Sequence, residues 1–314
     1  MARFSTDSLV IDDTGLGAIK LRGIGSASHD LGITTIGPDS GNTYDEAKFI
    51  GSQLVTMPFT VTAISTLLGK VGLLTGLCVP TGVNPGVELY GQKHDPCGTA
   101  GRAAGSVNLK VAADKAHVFI QSISGSRGSS AIATLLIVAL SEGAAAPTAV
   151  VYNVALPTGL TVDEEFSIAH CDVAGQVLAV NSIQSWSIDT GIEFTQLSAV
   201  DEIWATDVDI TKIRPRITIQ TDAPDILDAA KIPYGGVACT HANTELWLRE
   251  RTAQGGLTAK ATTNHIKVTA AGFAYINQHY DASGSAVGGT EIIIETIETG
   301  GSAPLVATTG LAIT

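Results

Sequence analysis

The chain has 314 residues, a length that suits about two domains, each able to bury its own core. Its net charge of −12 excludes a protein that grips nucleic acid through a broad basic face, because such binding needs clustered cations to release counterions. Only 15% of residues are charged, against about 25% in an average globular protein, so much of the surface is expected to meet protein rather than water.

The opening, MARFSTDSLVIDD, lacks the basic-then-apolar layout of a signal peptide, and a reducing cytoplasm is the expected site of synthesis. An Asp-Thr-Gly triplet follows at Asp13-Thr14-Gly15. Residues 59–78 read as a strand, a short helix and a strand. The glycine-rich GTAGRAAG at 98–105 reads as a loop. The longest apolar run, Ala131 to Leu140, is far short of the roughly 20 residues that span a bilayer and reads as a buried strand, so no membrane partner is expected. Residues 157–182 are expected to form a linker or an arm, with Val162 to Phe166 extended and exposed.

A second Asp-Thr-Gly triplet stands at Asp189-Thr190-Gly191. Beyond it, Val208 and Ile210 alternate with Asp207 and Asp209, Ile217 and Ile219 with Thr218 and Gln220, and Ile266 and Val268 with His265 and Lys267. Period-two alternation puts one set in a core and the other outward. Asp222, Pro224 and Asp225 mark the start of a short helix ending near Ala230. Lys212, Arg214 and Arg216, the densest basic stretch, are expected on one strand face, in solvent or in ion pairs between subunits.

Two halves of the chain repeat. Glu88-Leu89-Tyr90 matches Glu245-Leu246-Trp247, 117–126 matches 273–285 and 134–147 matches 290–304, at an offset held between 156 and 159. Upstream, 59–78 resembles 217–239, and 8–21 resembles 185–198 at an offset of about 177, as though the first copy lacked some twenty residues. The expected fold is therefore mainly β: two tandem related antiparallel β-sandwich or barrel domains at 1–156 and 183–314, each with one short helix, flanking the 157–182 segment.

No set of catalytic, cofactor-binding or metal-ligating residues emerges. The four cysteines, Cys78, Cys97, Cys171 and Cys239, form no CxxC pair, and the neighbours His94, His170 and His241 supply no second half-site. Asp163, Glu164 and Glu165, and the pair Asp207 and Asp209, lack the spacing of a calcium loop. The two Asp-Thr-Gly triplets resemble those of pepsin-like proteases, where paired carboxylates share a proton. The residues that follow, Leu16 and Ile192, lack the hydroxyl of that pattern, and a turn in which Asp accepts backbone N–H groups and Gly takes a positive φ is the simpler reading.

The run Ile213 to Asp222 with its following helix, and the stretch from Glu245-Leu246-Trp247 to Ile292-Ile293-Ile294, are similar to the tail tube proteins of tailed bacteriophages. The resemblance covers most of 183–304, and the first half through the repeat. It implies a virion structural protein of the tail, with trimeric rings stacked into a tube, other tail proteins as partners, and DNA passing through without specific binding. An acidic lumen would repel phosphates. A capsid decoration or baseplate module would share the β-fold without polymerising alone.

Overall fold

The structure, a computed structural model, describes residues 4–12, 17–23, 27–36, 49–82, 86–95, 97, 103, 105–142, 145–160, 164–198, 202–222, 232, 240–252, 256–281, 289–298 and 301–313. In chain order the strands of the first half are Phe4–Ile11 (β1), Ile19–Arg22 (β2), Ile33–Ile36 (β3), Phe49–Gln53 (β4), Val55–Val61 (β5), Leu77–Val79 (β6), Val87–Lys93 (β7), Asn108–Ala113 (β8), Lys115–Ser126 (β9), Ile132–Leu140 (β10) and Thr148–Val154 (β11). Ile64–Val71 (α1) lies between β5 and β6. The second half carries Phe166–Val173 (β12), Gln176–Leu178 (β13), Ile183–Asp189 (β14), Ile192–Leu197 (β15), Asp207–Ile213 (β16), Arg216–Thr221 (β17), Thr240–Glu250 (β18), His265–Asp281 (β19), Gly289–Thr296 (β20) and Leu305–Leu311 (β21).

The fold is mainly β, as expected, and every strand ladder is antiparallel. A five-stranded sheet has the order β11-β8-β7-β1-β2. A twelve-stranded sheet runs β13-β12-β18-β19-β20-β17-β14-β9-β10-β5, with β21 on β19 and β6 on β9, and β3–β4 and β15–β16 are separate hairpins. The apolar run at 131–140 is the buried strand β10, while the helix expected at 223–230 lies outside the described residues.

The duplication reappears as strand pairing. The first-half chains of neighbours β2-β1-β7-β8-β11 and β9-β10-β5 recur as β13-β12-β18-β19-β21 and β19-β20-β17. One bulge recurs too: the register of β9 on β10 slips at Gln121, and that of β19 on β20 slips at Asn277. One ion pair recurs: Lys110 Nζ lies 2.6 Å from Glu88 Oε1, and Lys267 Nζ lies 2.7 Å from Glu245 Oε1. Tyr90 and Trp247 accompany these pairs. Tyr90 donates its hydroxyl to Glu88 at 2.7 Å, and Lys267 stands 5.3 Å from the centre of the Trp247 ring. Burial, and then the hydrogen bond to Glu88, raise the Tyr90 phenol above its ordinary range. The matched Glu-Leu-aromatic triplets thus mark a cross-strand charge pair kept in both copies.

Pairing also corrects the upstream alignment. The counterpart of β1 and β2 is β12 and β13, so Phe4-Ser5 matches Phe166-Ser167, and 8–21 does not correspond to 185–198. With that change the first copy lacks no twenty-residue block. The 157–182 segment, expected as a linker or arm, carries β12 and β13 of the large sheet. The halves are not separate sandwiches either: β14 pairs with β9, and one hydrophobic cluster holds Leu9, Phe59 and Ile137 together with Ile217, Leu246 and Ile292.

Alternation builds that core. In β5, Val55, Met57, Phe59 and Val61 are fully buried while Thr56, Pro58 and Thr60 are half-buried. Each such apolar side chain contributes about 1.5–3 kcal/mol by leaving water. The helix α1 turns Ile64, Leu67, Leu68 and Val71 onto the same core. Its N-cap residue Ala63 offers no side-chain acceptor, and Glu164, a hundred residues on, supplies one. The Glu164 carboxylate accepts from Ser65 N at 2.9 Å, Thr66 N at 3.2 Å and Thr66 Oγ1 at 2.5 Å. Glu164→Ala is expected to cost about 1–2 kcal/mol, read as a lowered midpoint in urea, with Glu164→Gln recovering part of the loss.

Candidate assembly interface

The halves join where β9 of the first meets β14 of the second. Ser122 to Ser126 of β9 pair with Asp189 to Ser185 of β14, so Ile123 faces Ile188 and Ser124 faces Ser187. Thr190 extends the contact: its N–H donates to the Gln121 carbonyl at 3.0 Å, and its hydroxyl donates to the Ile120 carbonyl at 2.7 Å. The β15–β16 hairpin then folds over the outer faces of β9 and β10. Phe194 stacks on Phe119 with ring centres 5.6 Å apart and planes 14° apart. Ile192, Val208 and Ile210 join Phe119, Leu136, Val138 and Leu140 in a second apolar cluster. Backbone bonds fix the segment that joins the hairpin's strands: Ser141 N donates to Ala205 O at 2.8 Å, and Gln53 N to Ile203 O at 2.6 Å.

His117 lies at the edge of this cluster, 3.7 Å from Asp207 Oδ1. Burial holds its pKa below the ordinary 6.5; Asp207 opposes that shift and Lys115 adds to it. The unfolded chain therefore binds the proton more readily, so the stability this neutral imidazole carries is present above pH 6.5 and is lost as pH falls through and below 6.5. Thermal melts across that window are expected to show a smaller acid loss in His117→Gln than in the unmutated chain.

The Asp189-Thr190-Gly191 triplet is a turn within this junction. Gly191 N donates to Asp189 Oδ1 at 2.9 Å, and Gly191 has φ +56°. Its counterpart in the first half is Asp30-Leu31-Gly32, where Gly32 N donates to Asp30 Oδ1 at 3.0 Å and Gly32 has φ +51°. The flanks agree as well. A side chain on Gly191 would strike the Arg214 carbonyl, and one on Gly32 the Leu54 carbonyl. Asp30 pairs with Thr56 of β5 as Asp189 pairs with Arg216 of β17. The repeat partner of Asp189 is thus Asp30 and not Asp13, which lies outside the described residues.

The 27–31 segment is a stunted version of β14. The partner that Ser187 finds in Thr218 falls, in the first half, on Pro58, which has no N–H to donate. Among the described residues the Asp30–Thr56 bridge is what forms there.

Other residues singled out in the sequence do not converge. Lys212 is the penultimate residue of β16, Arg214 lies between strands and Arg216 begins β17, so the three do not share one strand face; Arg216 reaches Glu295 at 3.5 Å. Glu164 caps α1, Glu165 accepts from Ser130 Oγ at 3.1 Å, and Asp163 lies outside the described residues. Cys171 is buried, which raises its thiol pKa, whereas Cys78 and Cys97 are exposed; Cys239 and most of 98–105 lie outside the described residues. Among the described residues no group of three His, Cys, Asp or Glu side chains could hold a metal ion, and no helix is long and apolar enough to cross a membrane. No family model matches the chain, and no curated protein matches it.

Proposed function

We propose that this chain is a virion structural protein that assembles into stacked rings, forming a tail tube through which DNA passes. The observation that carries the reading is the junction itself: β9 of the first half pairs with β14 of the second. That contact is head-to-tail, using two different surfaces of one repeated unit. A head-to-tail contact leaves one surface of each kind unused at the chain's ends, and repetition closes a ring or grows a filament. Three chains of two repeats would give a ring with six quasi-equivalent positions. Other tail proteins would meet its ends, and the assembly would form after synthesis in the host cytoplasm.

The junction leaves an open hollow of about 390 Å³ lined by side chains that include Ser124, Ser126, Ser185, Ser187, Thr218 and Gln220. That wall, which Trp186 and Ile132 complete, carries no charged side chain, so within a protein of net charge −12 it offers phosphates no cation to bind, as sliding DNA requires. The role is mechanical, and no catalytic residue takes part in it. Electron microscopy of the purified chain over a range of concentrations, with mass measurement of the smallest species, tests this. Rings or tubes built on a three-chain unit are expected. A compact monomer at every concentration would overturn the reading and favour a capsid decoration or baseplate module.

A further inference from the structure

The internal junction predicts the external one, residue by residue. On the donating side, the first-half counterparts of Thr190, Ile192 and Ile210 are Leu31, Ile33 and Ile50. Where the second-half residues are buried or half-buried against β9 and β10, Leu31, Ile33 and Ile50 are 39%, 50% and 46% exposed. On the receiving side, the counterparts of His117 and Phe119 are Phe273 and Tyr275, placed by the shared bulge and by the pairing of Phe119 with Leu136 and of Tyr275 with Ile293. Within one chain these two surfaces are not sheet neighbours, as β9 and β14 are. The strands β20, β17, β14, β9, β10 and β5 all lie between β19 and the 27–31 segment.

Resting on the self-assembly reading, we propose that residues 29–31 of one chain, beyond the Ala27 N–H that Thr6 Oγ1 accepts, pair antiparallel with the C-terminal half of β19 in a second copy. The β3–β4 hairpin of the first chain then lies across Phe273 and Tyr275 of the second copy. The register follows from the internal ladder. Because Ile188 faces Ile123 and Asp189 faces Ser122, His29 faces His279 and Asp30 faces Gln278. Leu31 N donates to the Asn277 carbonyl, as Thr190 N does to Gln121. A second copy is the occupant that fits, because the contact already exists once in each chain with matching bulge and turn, and with Ile33 matching Ile192 and Ile50 matching Ile210, while Thr35 stands where Phe194 does. The exposed isoleucines are what an unused copy of it leaves in water.

Two variants of the full chain test this beside the unmutated protein. Ile33→Asp/Ile50→Asp changes exposed side chains, so it is expected to keep its melting temperature while light scattering and microscopy show at least a tenfold loss of assembled material. His29→Cys/His279→Cys, in a Cys78→Ser/Cys97→Ser/Cys239→Ser background, is expected to link chains covalently on mild oxidation and only when both new cysteines are present. If the unmutated chain assembles but the aspartate variant assembles equally well and positions 29 and 279 do not cross-link, the proposed contact is overturned while self-assembly stands. An unmutated chain that never assembles overturns both.

Discussion

Gly191→Ala is expected to be among the most damaging single-methyl changes in this protein, lowering stability by about 3 kcal/mol or more in chemical denaturation. A Cβ at this position would lie 2.1 Å from the Arg214 carbonyl oxygen and 2.7 Å from its carbonyl carbon, and backbone cannot swing aside as a flexible side chain can. The φ of +56° adds a further cost of roughly 1–2 kcal/mol for any residue with a side chain. The damage is also local to the junction, since the turn aims Thr190 at β9 and sets the start of the hairpin. Gly69→Ala supplies the contrast. Gly69 lies inside α1 with nothing within 4 Å of the added methyl, so the substitution is expected to stabilise by about 0.5–1 kcal/mol through helix propensity. Equal effects at the two positions would contradict the collision argument.

Phe119→Ala is expected to cost about 3–5 kcal/mol and to loosen the hairpin β15–β16 selectively. Phe119 is 1% exposed and packs on the outer side of the sheet, away from the main core. It is the common contact of both halves there, touching Phe194 from above and His117 at 5.8 Å alongside. Truncation removes the aromatic surface on which the hairpin rests and leaves a void that the β9 backbone, held by β10 on one edge and by β6 and β14 on the other, cannot close. Phe194→Ala, at a half-buried position, is expected to cost less than half as much. Hydrogen exchange is the telling measurement: amides of 192–213 should exchange faster in Phe119→Ala while those of β5 and β20 keep their protection. Uniform acceleration across the chain would mean that Phe119 serves the whole core instead of the junction.

Gly191 also shows what was legible from residue order. Gly191 was visible as part of a turn, because Asp-Thr-Gly is turn chemistry wherever it occurs. Its partner was not, because Asp30-Leu31-Gly32 shares only two letters with it, whereas Asp13-Thr14-Gly15 shares all three. The offset held the better clue. Asp30 and Asp189 keep nearly the spacing of the rest of the repeat, and the pairing of 8–21 with 185–198 alone broke it. Identity of short motifs outweighed constancy of spacing, and constancy was the stronger constraint. A duplicated sheet must keep strand lengths and registers, since a slip of one residue turns every side chain to the wrong face.

The capping of α1 by Glu164 could not be read at all. The acceptor is local in space and a hundred residues away in sequence, and a run of acids looks alike whether it is solvated or caps a helix.

The β character and the buried strand at 131–140 were readable from residue order, because period-two alternation and an unbroken apolar run are one-dimensional signals. Tertiary structure alone decided how the copies meet. Whether a full strand forms at the edge of each half depends on the residue facing it, since Thr218 pairs with Ser187 whereas Pro58 has no N–H to donate, and the join itself depends on what packs over it. Those are contacts between residues distant in the chain, and no local pattern records them.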